Sequence, residues 1–193
     1  MEFDEVIEKR KSVRSFKSKK PDWRNIIEAV DSACKGPFAD GSNNLKFLII
    51  EEQDKINKIA EFANQTWINE APILVVVCSD DTNLENMHGE HGRVYSRQQA
   101  GSAIVSFLLK LTDLGLSSCW VGAFTDELIK QELKIPSHIQ VEALIPVGYE
   151  SSKSPKKKKK DLEHALFWES WGSSKRPSAM TEVPEPYSVS PIA

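Results

Sequence analysis

The sequence predicts a domain in which helices and buried strands alternate around one core, and three observations carry that expectation. The stretch "PILVVVCS" is an unbroken, largely β-branched run, which suits a central strand covered on both faces. Ala100, Ala103, Ile104, Phe107, Leu108 and Leu111 recur at helical spacing and define the strongest helix in the chain. With 193 residues, 40% hydrophobic and 27% charged, the chain is long enough for a substantial core and has ordinary globular proportions.

The elements follow in order. "FDEVIEK" places Phe3, Val6 and Ile7 on one face of a short first helix that runs into Arg10. Asp22 is placed to cap a second helix, with Trp23, Ile26, Ile27, Val30 and Cys34 at helical spacing. "KGPFADGSNN" reads as a loop and "FLIIEE" as a strand. "DKINKIAEFAN" carries Ile56, Ile59, Ala60 and Ala63 on one stripe and reads as a helix. "LENMHGEHGRVY" fits neither period and stays open. The helix through Ala100–Leu111 is apolar over more than one face, which places it centrally or at a dimer interface, and Gly115 is positioned to end it. "SSCWVGAF" reads as a short strand and turn. Thr125 is placed to cap a helix ending near Pro136, and "VEALIPVGY" is another buried strand. No repeat or linker interrupts residues 1–171. Residues 172–193 are rich in Pro and Ser and too polar to pack alone, so they form a disordered tail or an arm lying on a partner.

Bulk charge and motifs narrow the function classes. The net charge of −3 gives no global basic field for nucleic acid. No apolar run reaches the roughly 18 residues of a membrane span. "MEFDEVIEKR" lacks the apolar centre of a signal peptide. Three scattered cysteines, Cys34, Cys78 and Cys119, fit a reduced compartment, and the expectation is a cytoplasmic protein. His88 and His91 form H-x-x-H, but Gly89 and Gly92 argue for a loop and neither a third ligand nor a Cys pair is evident, so no metal site is expected. Neither a dinucleotide fingerprint, a P-loop nor a G-x-S-x-G elbow is present. The run Lys156 to Lys160 reads as a solvated loop, since the aromatic interleaving of a nucleic-acid groove is missing; a lysine reaching back to an anion is the other reading.

The N-terminal string "EKRKSVRSF" gathers Arg10, Lys11 and Arg14 around Ser12. A phosphate monoester calls for fork-shaped Arg donors and a hydroxyl. In an extended segment Arg10, Ser12 and Arg14 would share one face and Lys11 would point elsewhere. A helix C-terminus made comfortable by cations explains the same residues.

Taken in order, "RKSVRSF", the P-x-A-x-G-x-N loop before "KFLII", "APILVVVCSD", the helix ending "LGLSSCWVGAF" and "IPVGY" before a basic stretch resemble the nitroreductase family of FMN-dependent oxidoreductases. The resemblance covers roughly residues 1–171, which it makes an FMN-binding domain. It implies an α+β fold, with a mixed central β-sheet flanked by helices in an intertwined homodimer and FMN in a cleft between the subunits. On that reading Arg10, Lys11, Ser12 and Arg14 match the N-terminal FMN-binding segment. Arg10 and Ser12 would take the phosphate and ribityl side, and Arg14 the N1–O2 edge of the flavin, where a fixed positive charge stabilises the reduced ring. The loop "GPFADGSNN" matches the family segment P-S-x-x-N-x-Q-P-W with departures: Phe38 for Ser, Gly41 for Asn, Asn43 for Gln. Asn43 would still hydrogen-bond the flavin. Val121, Gly122 and Ala123 match the turn that lies close to the isoalloxazine. Lys157 and Lys159 match the late basic pair that closes on the phosphate.

The implied activity is ping-pong reduction of a nitroaromatic, quinone or similar acceptor by NAD(P)H, with the cofactor carrying the chemistry and no catalytic side chain assigned. The altered loop motivates a second reading within the family: flavin destruction, dehalogenation or azoline oxidation. A non-catalytic flavin- or anion-binding module is a third, and a basic-loop nucleic-acid binder a fourth.

Overall fold

The computed structural model of the chain describes residues 1–152 and 165–174. It divides into two compact units, Met1–Pro155 and Lys156–Ala193. In the second unit, the Phe167 and Trp171 rings lie 5.0 Å apart and Trp168 N–H donates to the Ser173 carbonyl.

The first unit is an α+β fold built around a four-stranded sheet in the order β1-β2-β4-β3. The strands are β1 (Leu45–Ile50), β2 (Ile73–Ser79), β3 (Ser117–Ser118) and β4 (Gln140–Gly148). All three strand pairs run antiparallel. The mixed character expected of the sheet is confined to a parallel bridge between Ser12 and Ser118.

Alternation along β2 explains why its whole sequence is apolar. Ile73, Val75 and Val77 face one way, into a core shared with α2 (Trp23–Cys34) and α5 (Glu90–Asp113). Leu74, Val76 and Cys78 face the other way, into a core shared with α3 (Gln53–Phe62) and α6 (Asp126–Leu133). The sheet is thus the middle of three layers, and every residue of β2 is buried. Each such aliphatic side chain contributes roughly 1.5–3 kcal/mol through burial.

Local signals account for the helix ends. The Asp22 side chain accepts from Arg24 N–H at 2.9 Å and caps α2 as expected. Gly115, with φ of 74°, turns the chain out of α5. Thr125 occupies the N-cap position of α6 without a side-chain bond. The stretch left open by periodicity forms α4 (Thr82–His88) and the first turns of α5, broken at Gly89 with φ of 59°. α1 (Phe3–Lys9) departs from expectation: it buries Val6, while Phe3 is 68% exposed and Ile7 lies at the surface. Among the described residues no helix is long and apolar enough to cross a membrane.

Candidate functional site

The chain leaves α1 at Arg10 and runs extended along the sheet edge. Val13 N–H donates to the Ser118 carbonyl at 3.0 Å, and Phe16 bridges Glu150. Val13 and Phe16 are buried with Ala71, which pins the segment. Alternation then sorts its side chains. Arg10 and Ser12 line a cavity of about 340 Å3 with Val105, Leu108, Ser118, Cys119 and Trp120. Among the described residues neither the Arg10 guanidinium nor the Ser12 hydroxyl has a side-chain partner. Lys11 lines a different cavity and pairs with Glu150 at 2.8 Å. Arg14 does not join Arg10 and Ser12 at their cavity; its guanidinium lies 5.7 Å from the centre of the Trp67 ring.

Ser118, Cys119 and Trp120 supply a second wall of the cavity that Arg10 and Ser12 line, and the 121–123 turn follows without lining it. Val121 is buried and exchanges both backbone hydrogen bonds with Leu144 (2.9 and 3.0 Å). Gly122 is exposed, and a side chain there would meet nothing within 4 Å, so the space before it is open. The Ala123 carbonyl accepts from Gln65 Nε2 at 3.4 Å. Trp120 lies over α5, its ring 3.9 Å from the position a Cβ would take on Gly101. Sequence reasoning passed over Trp120, which is 39% exposed and lines the same cavity as Arg10 and Ser12.

The 36–43 loop forms another cavity, also of about 340 Å3, where Pro37, Phe38 and Ala39 face Tyr95, Gln98, Gln99 and Ser102 of α5. Asp40 and Gly41 both have positive φ (50° and 68°), which makes the turn tight. The Asn43 side-chain oxygen accepts from Leu45 N–H at 3.0 Å, and its amide NH2 has no partner among the described residues. His88 is 2.6 Å from Asp40 and packs edge-on against Tyr95, with His91 stacked on the same ring. Among the described residues no cluster of His, Cys, Asp or Glu is arranged to hold a metal ion. Lys157 and Lys159 lie outside the described residues.

The Nitroreductase family model matches residues 57–149, from α3 through β4. Residues 57–149 are a nitroreductase-family sequence. The chain is 27% identical over 154 residues to a putative NADH dehydrogenase/NAD(P)H nitroreductase of Methanothermobacter thermautotrophicus, covering 77% of this chain and 78% of the relative. It is 26% identical over 178 residues to an iodotyrosine deiodinase of Thermotoga neapolitana, covering 79% and 90%. Among solved structures, a nitroreductase family protein from Clostridium novyi NT superposes with a TM-score of 0.70 at 29% identity, covering 90% of this chain and 96% of that one. An FMN-dependent nitroreductase from Clostridium difficile R20291 superposes with a TM-score of 0.74 at 20% identity, over 86% and 98%, which speaks to the fold. The nitroreductase fold expected from the sequence is therefore the fold observed, and relatives across it are oxidoreductases.

Within that nitroreductase fold, Arg10 and Ser12 on the one hand and the 37–39 loop on the other line two cavities along successive turns of α5. Arg10, Ser12 and Trp120 border Val105 and Leu108, whereas the 37–39 loop borders Tyr95 through Ser102. Tyr95 at one cavity and Val105 at the other are exposed, as is Val94 next to Tyr95.

Proposed function

We propose that the protein is an FMN-dependent oxidoreductase that uses NAD(P)H to reduce a nitroaromatic, quinone or similar planar acceptor, acting in the cytoplasm as a homodimer. The observation that carries the reading is the Arg10 guanidinium and the Ser12 hydroxyl, both without a side-chain partner among the described residues and both lining one cavity with Trp120. A half-buried cation with no counter-ion among the described residues invites an anion, and a guanidinium with a neighbouring hydroxyl suits a phosphate monoester. These residues fit one wall of an FMN site; FMN, when bound, supplies the redox chemistry between nicotinamide and acceptor. Arg10 and Ser12 hold its phosphate and ribityl groups. Gly122 leaves room for a flat ring at the open turn. Arg14 approaches from the Trp67 side as a fixed positive charge.

One protomer presents two half-sites, and exposed Val94, Tyr95 and Val105 of α5 beside them support a second copy completing each. The loop residues Phe38 and Asn43 of one copy would then meet Arg10 and Ser12 of the other. Lys157 and Lys159 enter this reading as the late basic pair, and Lys11 serves the segment through its pair with Glu150. To test it, the purified full chain is titrated with FMN and then assayed for NADH and NADPH oxidation with and without a nitroaromatic or quinone. Binding of FMN with acceptor-dependent turnover supports the proposal; a chain that takes up no FMN refutes it.

Dehalogenation is a second reading, favoured by the relative described as an iodotyrosine deiodinase together with the departures at Phe38, Gly41 and Asn43. Halide release from a halophenol under reducing conditions, without nitroaromatic turnover, would select it.

A further inference from the structure

A buried polar chain runs from the 39–44 loop through α5 to the end of the sheet, and neither the proposed cofactor contacts nor the hydrophobic core accounts for it. Gln99 clamps the loop twice: its side-chain oxygen accepts from Ala39 N–H at 3.1 Å, and its Nε2 donates to the Ser42 carbonyl at 3.3 Å. The same Nε2 donates to Asn44 Oδ1. Asn44 Nδ2 donates to Ser96 Oγ at 2.8 Å and to the Asp80 carbonyl at 3.0 Å. The Ser96 hydroxyl passes its proton side on to Asp81 Oδ1 at 2.6 Å. Arg97 then ties Asp81 (2.6 Å) to Glu142, with Ser79 touching both carboxylates. Asn44, Ser79, Asp81, Ser96 and Gln99 are all at most 7% exposed.

We propose that Ser96 and Asp81 are positioning residues for the 39–44 loop, acting on the candidate cofactor and acceptor site through Asn44 and Gln99. Three features distinguish this chain from incidental burial. Every member is satisfied, and a fully satisfied buried network fixes a single geometry where an apolar contact would allow sliding. The network grips the loop at three points, Ala39, Ser42 and Asn44, while the loop itself holds two residues at positive φ and has little regular structure to define it. Its far end is anchored by an ion pair between rigid elements, Asp81 after β2 and Arg97 on α5. Support of this kind is what holds a functional loop within a fraction of an ångström. The inference rests on the proposed function for what the loop serves, and on geometry alone for the anchoring.

The test uses the full chain carrying Ser96→Ala, which removes the hydroxyl between Asn44 and Asp81 and adds no bulk. Ile129→Val, on the buried face of α6, serves as a control for general destabilisation. Amide hydrogen exchange is read over residues 36–46 in the protein without added FMN. Ser96→Ala is expected to speed exchange there about tenfold or more, with α6 and the β2 strand unchanged, whereas Ile129→Val leaves the loop protected. With FMN bound, Ser96→Ala is expected to raise KM for an aromatic acceptor several-fold at nearly unchanged kcat and to alter the visible circular dichroism of the flavin. Ser96→Thr, which keeps the hydroxyl, restores both. Loop exchange equal in Ser96→Ala and wild type overturns the anchoring. Faster loop exchange with unaltered KM and flavin dichroism overturns the positioning role. A wild-type chain that takes up no FMN refutes the proposed function and with it the positioning role, while the exchange result still decides the anchor.

Discussion

Arg10 is the residue on which the functional reading concentrates, because it is a cation facing a cavity with no counter-ion among the described residues. Replacing it with alanine is expected to weaken FMN binding by about 2–3 kcal/mol, the scale of a charge-assisted hydrogen bond, measured by fluorescence titration; unchanged affinity would remove Arg10 from the phosphate site. Glu142 gives a second prediction. Burial, with the neighbouring Asp81 charge adding to it, pushes its carboxyl above the ordinary glutamate range, against the opposing pull of Ser79 and Arg97. Its contribution to stability is therefore complete below the ordinary glutamate value and is lost as pH rises through the raised folded-state value. Glu142→Gln lacks that loss, so its urea midpoint relative to wild type should climb as pH rises above the ordinary glutamate range. A flat or falling difference would contradict the assignment. The sequence revealed part of this. Alternation foretold that Lys11 would part from Arg10 and Ser12, because an extended backbone dictates it. That Arg14 turns to Trp67 depends on a contact across more than fifty residues, for which no local signal exists.

Among the elements, α5 and the junction before it organise the site. Gly92 sits where a Cβ would stand 2.2 Å from the Leu84 backbone oxygen, so α4 and α5 meet with no room for a side chain. Gly92→Ala should therefore cost about 3 kcal/mol, the upper end of overpacking, read as a lowered urea midpoint with unchanged slope; a neutral effect would mean the junction gives way. The apolar half of α5 was legible from Ala100 onward because its spacing is regular. Its first turns were not, since the buried stripe there continues as Ser96 and Gln99, and polar residues at core positions erase the periodicity that marks a helix. The same two residues belong to the loop anchor. Polar side chains at the continuation of an apolar stripe were the one available sign of it, with Asn44 and Asp81 too distant in sequence to be paired with them by pattern. The short α1 misled in the other direction: its apolar face is real, but this chain's own core covers Val6 alone.

At the scale of the whole molecule, the layers around β2 account for the fold, and the exposed apolar groups left over account for the proposed assembly. Val94 is 49% exposed on the same side of α5 as Val105. Val94→Arg should shift the protein from dimer to monomer in light scattering and lower FMN affinity in parallel, since each site would draw on both copies. A monomeric wild type would end the two-copy site. The order of elements and the central strand were readable because β2 is apolar throughout; the proposed assembly had as its signs the family resemblance and a helix apolar over more than one face. The central claim is that Arg10 and Ser12 form the phosphate end of an FMN site, and it is tested most directly by titrating the desalted, FMN-free chain with FMN and recording the visible spectrum after removal of unbound cofactor. The account predicts a yellow protein with about one FMN per chain, the colour being lost in Arg10→Ala; a wild-type chain that stays colourless would contradict it.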